Sequence, residues 1–436
     1  MENKKNSIKK REYFEITLEL VSPLSIGNGV SIETDSDVLR ASDGRCFIPG
    51  TSLAGAFRNY LGDVKDEISV YGYSQGENGR MSSIFLSDLF WNDEDVKLSV
   101  RDNVRLSNEK SVEDKFDMQI MEPGVVGTFR METVEREEDD FDFIQTITNA
   151  LRALNIGEIR LGANKNRGLG RVKILSVKTR SFVYGQTAEW RAFLQNNLKM
   201  DENAEDFDAW KSTVSEAERK YIRVTVPLKL KGGISIRKYS AQPGKADYEQ
   251  LSQIGKNGEK IPIIPGTSWN GAIRHDAENI LRELGMKNDR AKETISEWFG
   301  TVQKEGQTNA KQSAIVISEG RIAGGEDVPM TRNKIDRFSA GTIDGALYTE
   351  LAHFEGDTVL EYMVPKDESI SYKALLGLME IIVKDVCSGY LAVGGLTAIG
   401  RGVFAGTEEG IIYSEPISKE ECMAQLAEVV KGGRGA

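Results

Sequence analysis

Two segments of this chain say nearly the same thing, and each is followed by a second shared feature in the same order. FIPGTSLAGAFRNYL begins at Phe47 and IIPGTSWNGAIRHDAENIL begins at Ile263. More than a hundred residues after each comes a glycine cluster, IRLGANKNRGLGRV around Gly162 and LAVGGLTAIGRGVF around Gly394. The clusters fall in step, because Gly162, Gly168 and Gly170 have the spacing of Gly394, Gly400 and Gly402. Two ordered pairs of motifs imply an internal duplication, which constrains the chain to two similar units.

The repeat extends beyond these anchors. Each half opens with an alternating strand-like run, YFEITLELVSPLSIGNG and YIRVTVPLKLKGGISIR, in which Phe14, Ile16 and Leu18, or Val224, Val226 and Leu228, share one face. Each half then carries a turn at Gly124 or Gly356, a strand (TFRMETV, TVLEYMV) and an amphipathic helix (FDFIQTITNALRALN, SYKALLGLMEIIVKDVCSGYL). The order strand, loop, Pro-Gly turn, helix, irregular region, strand, helix, glycine cluster, strand predicts an α+β fold. It matches a ferredoxin-like or RRM-like unit with large insertions, present twice.

A length of 436 residues allows about two to three domains, and the duplication selects two, each large enough for its own core. The first is expected over 1–179 and the second over 220–410. Between them, the charged stretch 180–219 reads as a helical connector. The tail 411–436 reads as a short amphipathic helix with a frayed glycine-rich end.

Cys46, Cys387 and Cys422 are odd in number and far apart, and His275 and His353 are the only histidines. Neither a disulfide framework nor a His/Cys metal site is supported. The polar start MENKKNSIKKRE lacks an apolar leader core, and no apolar run reaches bilayer length. A soluble, cytoplasmic protein without membrane contact is therefore expected. The formal charge of −11 opposes bulk attraction to nucleic acid. Much of the acid is concentrated in EREEDD and DENAEDFD, however, whereas Arg160, Lys165, Arg167, Arg171 and Lys173 make the first glycine cluster basic. A local basic groove on an acidic body fits this distribution.

A Pro-Gly turn entering a helix through Thr51 and Ser52, or Thr267 and Ser268, presents an N-cap hydroxyl and free amides at the positive end of a dipole, where a phosphate binds readily. Gly55 and Gly271, one turn inside, cost helix propensity, which implies close packing against that face. Arg58 and Arg274 follow three residues later on the same side. The alternative is an ordinary capped helix lying close to a sheet. Likewise, the G-x5-G-x-G loops can offer backbone amides to a phosphodiester, or be tight turns. They are neither Walker A loops nor dinucleotide fingerprints, since Leu169 and Arg401 follow the second glycines and no helix opens there.

Together these motifs resemble the RAMP superfamily of CRISPR-associated proteins, whose marks include a Pro-Gly-Ser/Thr-Ser turn before a helix and a C-terminal glycine-rich loop. TRNKIDRFSAGTIDGALYTE in the second half resembles a stretch of type III backbone subunits, while VRLSNEKSVEDKFDMQIMEPG in the first is a degenerate counterpart. The resemblance implies ferredoxin-like domains aligned along a CRISPR RNA, with β-hairpin thumbs that kink it. A fused pair is similar to the double backbone subunit of type III-D systems. The implied partners are CRISPR RNA, target RNA, other RAMP backbone subunits and the large polymerase/cyclase-type subunit. The implied RNA contacts are Thr51, Ser52, Arg58, Gly162, Lys165, Arg167, Gly168, Gly170, Arg171, Thr267, Ser268, Arg274, Gly394, Gly400, Arg401 and Gly402.

In catalytic members an aspartate precedes the Pro-Gly turn. Asp35, three residues before Val38-Leu39-Arg40, matches that pattern; Asp247, three before Gln250, matches it less well and has a longer spacer. The implied reaction is metal-dependent endonucleolytic cleavage of target RNA by its own 2′-hydroxyl, in which the carboxylate of Asp35, and that of Asp247 in its own half, either takes that proton or helps to hold a divalent ion such as Mg²⁺. Asp37 and Glu249 are nearby substitutes, and a solvated loop acid is the alternative. At the level of function, the alternatives are a non-catalytic guide scaffold, a capping subunit of a type III complex, a stand-alone guide-processing nuclease and a small-molecule phosphate enzyme. The nuclease is disfavoured by the absence of histidine from the first half, the phosphate enzyme by the duplication.

Overall fold

The computed structural model describes residues 7–27, 29, 33–61, 70–75, 78–106, 112–137, 139, 142–185, 187–195, 200, 204–213, 215, 219–239, 246–301 and 310–432. It separates into two compact units, one comprising 1–101, 116–165 and 169–218, the other 102–115, 166–168 and 219–436.

The first unit is built on β1 (Ile8–Leu20), α1 (Gly50–Leu61), β2 (Leu89–Trp91), the base of the hairpin β3 (Leu98–Leu106) and β4 (Val112–Met121), of which 102–115 belong to the second unit, and β5 (Val126–Arg136), α2 (Phe143–Ile156) and β6 (Val172–Val183). Its main sheet runs β6-β1-β5-β2, every pair antiparallel. Counting β1, β2, β5 and β6 as the four framework strands, this is the fourth-first-third-second order of a ferredoxin-like βαββαβ unit. Register places Phe14 opposite Met131 and Ile16 opposite Phe129, so alternation delivers Phe14, Ile16, Leu18 and Leu20 to one buried face. The helices α1 and α2 cover that face with Leu53 and Phe57, and with Ile147, Leu151 and Leu154 at helical spacing. The start of α2 is held by the Asp142 carboxylate, which accepts from the amide of Gln145 at 3.0 Å, and its end by Gly157 in the left-handed region. Part of the stretch read as a connector belongs to this core. Glu205–Asp206 pairs with β6, and Trp210 is buried.

The second unit repeats the plan. It contains β7 (Tyr221–Lys231), β8 (Arg237–Tyr239), β9 (Tyr248–Gln250), α3 (Gly266–Glu283), α4 (Asn288–Phe299), β10 (Val316–Ile317), β11 (Glu326–Arg332), β12 (Tyr348–Phe354), β13 (Asp357–Pro365), α5 (Tyr372–Ser388), β14 (Val403–Ala405) and α6 (Lys419–Gly432). The framework order is β10-β13-β7-β14, again antiparallel. Val224, Val226 and Leu228 are buried beneath Trp269 and Ile273 of α3 and Leu378, Met379 and Ile382 of α5. The tail helix α6 adds Cys422, Leu426 and Val430 to this core.

A β-hairpin interrupts the framework of each unit before the turn glycine, β3–β4 before Gly124 and β11–β12 before Gly356. The first forms although its sequence lacks the marks of the second. Residues 107–111, parts of both acidic runs and the last four residues lie outside the described residues.

Candidate functional site

In the first unit the loop bearing Asp35 is tied to β4. The Asp35 amide donates to Asp117 Oδ1 at 2.8 Å, and the Asp117 amide donates back to Asp35 Oδ2 at 3.0 Å. Asp35 is exposed. Asp37 is buried and differs in kind: its carboxylate accepts from the amides of Glu33 and Thr34 and from the Thr34 hydroxyl. It braces the loop from within.

The second unit builds the same clasp. The Asp247 amide donates to the carbonyl of Thr349 at 2.9 Å, and the Thr349 amide donates to Asp247 Oδ2 at 2.7 Å. Asp117 and Thr349 each stand seven residues before the turn glycine of their unit. Asp35 and Asp247 therefore occupy equivalent places, although their spacers to the Pro-Gly turn differ by four residues. A small hairpin, Ser252–Ile254 with Lys260–Ile264, takes up the longer spacer. Glu249 pairs with Lys260 at 2.8 Å.

The Pro-Gly turns depart from expectation in one respect. Each helix begins at the glycine, with Pro265 in the cap position of α3. Thr51, Ser52, Thr267 and Ser268 thus lie within the first turn and are not cap hydroxyls. At the start of α1 an anion is already present, since the Gly50 amide donates to the Asp88 carboxylate at 2.8 Å. The expected close packing on Gly55 and Gly271 is also absent among the described residues. Both are exposed, and a Cβ at either would meet nothing within 4 Å. Arg58 is exposed, whereas Arg274 donates to the carbonyls of Phe299 and Gly300, the latter at 2.7 Å, so it caps the C-terminal end of α4. Burial lowers its pKa.

The glycine clusters have matching internal geometry. Ala163 and Gly395 donate to the carbonyls of Ser25 and Ser235, Leu161 and Val393 to those of Gly170 and Gly402, and Gly170 and Gly402 to those of Pro23 and Gly233. A Cβ on Gly170 would collide with the Leu161 carbonyl oxygen, and one on Gly402 with that of Val393; both glycines have positive φ. These glycines are thus required by the chain's own crossing. Gly162 and Gly168 also have positive φ, as do Gly394 and Gly400, and the last two are exposed. Among the basic residues, Lys165 and Arg171 are half-buried, and burial pushes Arg167 down to about 10. Arg401 is buried, with its guanidinium 4.4 Å from the Phe354 ring centroid.

The sequence reading did not anticipate Asp88, Asp117 or Thr349. The shared offset of the last two from Gly124 and Gly356 was a usable signal.

Among the described residues no group of three or more His, Cys, Asp or Glu side chains could hold a metal. Asp35 and Asp117 bring two carboxylates to the first site, and Asp247 brings one to the second. A Mg²⁺ ion characteristically takes one or two carboxylates and completes its shell with water and substrate phosphate, so the donors suit an ion held jointly with RNA. No described helix is long and apolar enough to cross a membrane.

Two ferredoxin-like units in tandem, each with a loop aspartate clasped to the second strand of a β-hairpin, define a duplicated α+β protein with one candidate site per unit. The chain belongs to the RAMP superfamily, whose family model matches residues 17–173 and 222–405. Membership implies an RNA-binding role in a type III-associated CRISPR RNA–protein complex. No curated protein matches the chain.

Proposed function

We propose that the chain is a double backbone subunit of a type III CRISPR effector, of the type III-D kind, in which each unit holds CRISPR RNA and cleaves the complementary target. The observation that carries this reading is the equivalence of Asp35 and Asp247, each fixed by a backbone clasp beside a hairpin. Two sites in one chain imply two cuts. The neighbours would be other RAMP backbone subunits and the large polymerase/cyclase-type subunit.

In the proposed reaction the target's 2′-oxygen bonds to the adjacent phosphorus as the bond from phosphorus to the 5′-oxygen breaks. The products are a 2′,3′-cyclic phosphate and a 5′-hydroxyl. Asp35 or Asp247 accepts the 2′-hydroxyl proton, and the leaving oxygen takes a proton from water. Asp35 with Asp117, and Asp247, are the residues that would hold a divalent ion; when bound, it supplies a Lewis acid for the scissile phosphate. The clasps contribute orientation, because a carboxylate anchored through one oxygen loses little freedom when it engages its target.

The test is cleavage of a matched target by the guide-loaded complex. Asp35→Ala should abolish one product and Asp247→Ala a neighbouring one, with guide and target binding intact, and EDTA should stop both. A full product ladder from the double variant, with binding unchanged, would make the chain a scaffold. The single carboxylate at the second site favours that second reading for the second unit alone.

A further inference from the structure

Beside Asp247 lies a row of tyrosines that the proposed reaction does not use. The strands β8 and β9 pair with Tyr239 opposite Tyr248, and β9 lies parallel to β12 with Tyr248 opposite Glu350. Side chains two apart on a strand share a face, so Tyr348 stands on the face of Glu350 and Tyr248. The ring contacts agree with that register. Tyr239 meets Tyr248 edge to face at 5.1 Å between centroids, and Tyr248 meets Tyr348 edge to face at 6.0 Å. The Arg237 guanidinium lies 4.8 Å from the centroid of Tyr248. Tyr239, at the end of the row, is 53% exposed, although it is held by a strand and by a neighbouring ring, and the exposed Lys115 ammonium lies 5.6 Å from its ring centroid, where it would meet the phosphate of a stacked nucleotide.

The row is joined to the candidate site through the backbone. Tyr248 directly follows Asp247, and Tyr348 directly precedes Thr349, whose amide binds the Asp247 carboxylate. Strand spacing and rise put the Tyr239 and Asp247 backbones about 6 Å apart, which is within the reach of one nucleotide. The charge around the row also suits a nucleotide. Arg237 and Lys238 are exposed, while Glu249 is paired with Lys260, and Glu350 is buried against Ser235 and Arg332.

Among the described residues the first unit does not repeat this feature. Ser36 follows Asp35 where Tyr248 follows Asp247, and only Phe116, before Asp117, supplies a ring.

We propose that Tyr239, Tyr248 and Tyr348, with Arg237, form a stacking platform for one unpaired base of a single-stranded RNA next to Asp247, and that the first unit lacks such a platform. The proposal rests on the RNA-binding reading above and deepens it. A ring already immobilised by its strand and neighbours gives up little entropy when a base lies on it, so the stacking energy is retained. Larger π-faces stack more strongly, so the platform favours purines. The second site thereby acquires a base preference that the first lacks.

The test uses the full chain and a short single-stranded RNA carrying one 2-aminopurine, whose fluorescence is quenched on stacking. Wild-type protein should bind the probe and quench it. Tyr239→Ala should weaken binding about tenfold and remove most of the quenching, while Tyr239→Phe keeps both. Because Tyr239 is exposed, both variants should melt as wild type does, which the same experiment checks. Equal quenching and affinity in wild type and Tyr239→Ala would overturn the platform and leave RNA binding standing. A Tyr239→Phe variant as impaired as Tyr239→Ala would assign the effect to the hydroxyl and equally overturn stacking. Failure of wild-type protein to bind the probe would remove the RNA-binding reading itself, and the platform with it.

Discussion

Asp35 and Asp117 hold one another by two reciprocal hydrogen bonds, each from the backbone amide of one to the carboxylate of the other, at 2.8 and 3.0 Å. In the second unit Thr349 replaces Asp117 and uses its carbonyl in place of a carboxylate. The partner's share of the first clasp therefore rests on a side chain that mutation can remove, whereas the partner's share of the second is all backbone.

Replacing Asp117 should cost the first site both its clasp and one of the two carboxylates that would hold an ion, while leaving the second site untouched. Asp117→Ala removes the acceptor for the Asp35 amide, a charge-assisted bond whose net worth is about 1.5–3 kcal/mol. The product assigned to the first site should fall by about tenfold or more, with the second product and target binding unchanged. Asp117→Asn, which keeps an oxygen, should recover much of the loss. Equal loss of both products would show that Asp117 supports the fold as a whole.

The glycines divide into two groups with opposite responses. Gly55→Ala and Gly271→Ala fill open space on exposed helix faces, so each should stabilise its helix by up to about 1 kcal/mol and raise Tm by about 2–4 °C. If RNA lies against those faces, affinity should fall even as Tm rises. Gly170→Ala and Gly402→Ala place a Cβ on a carbonyl oxygen at positive φ and should lower Tm markedly. Thermal melts paired with RNA titrations read both effects.

Asp276 on α3 gives a pH dependence. Burial, with help from the nearby Asp385 and Glu283, raises its pKa to about 6. The folded form therefore holds the proton more tightly than the unfolded chain, whose carboxyl titrates near its ordinary value of about 3.9. Stability from this group is present below about pH 4 and is lost as pH rises through about 6. Asp276→Asn should stabilise the protein at pH 7–8 by on the order of 1 kcal/mol after allowance for solvent screening, and should flatten the Tm profile between pH 4 and 6. A profile unchanged by the substitution would place the charge in solvent.

The exposed Arg58 and the half-buried Lys165 are the simplest tests of phosphate contact. If both meet RNA phosphates, Arg58→Gln and Lys165→Gln should each reduce the salt slope of single-stranded RNA binding by about 0.7. Titrations across a range of salt concentrations supply that slope. An unchanged slope would move the contact elsewhere.

The duplication, the ferredoxin-like plan and the faces of β1 and β7 were legible in the residues alone. Pro-Gly turns, glycine spacings and apolar alternation are local statements about backbone and burial, and Phe14, Ile16, Val224 and Val226 are buried as their alternation required. Asp35 and Asp247 were also visible as corresponding candidates, but the clasps that hold them were not. These are made with Asp117 and Thr349, which lie 82 and 102 residues further along, and no local pattern encodes a bond across that separation. The same limit governed the helix faces and the cations. Whether Gly55 meets a neighbour, or Arg274 and Arg401 face solvent, depends on which other segments pack beside them. Arg274 is bound to the end of α4 and Arg401 is buried against Phe354, because a guanidinium near unsatisfied carbonyls or an aromatic face is stabilised inside the fold. Sequence determined what each segment could become, and tertiary packing decided which side chains remained exposed to meet another molecule.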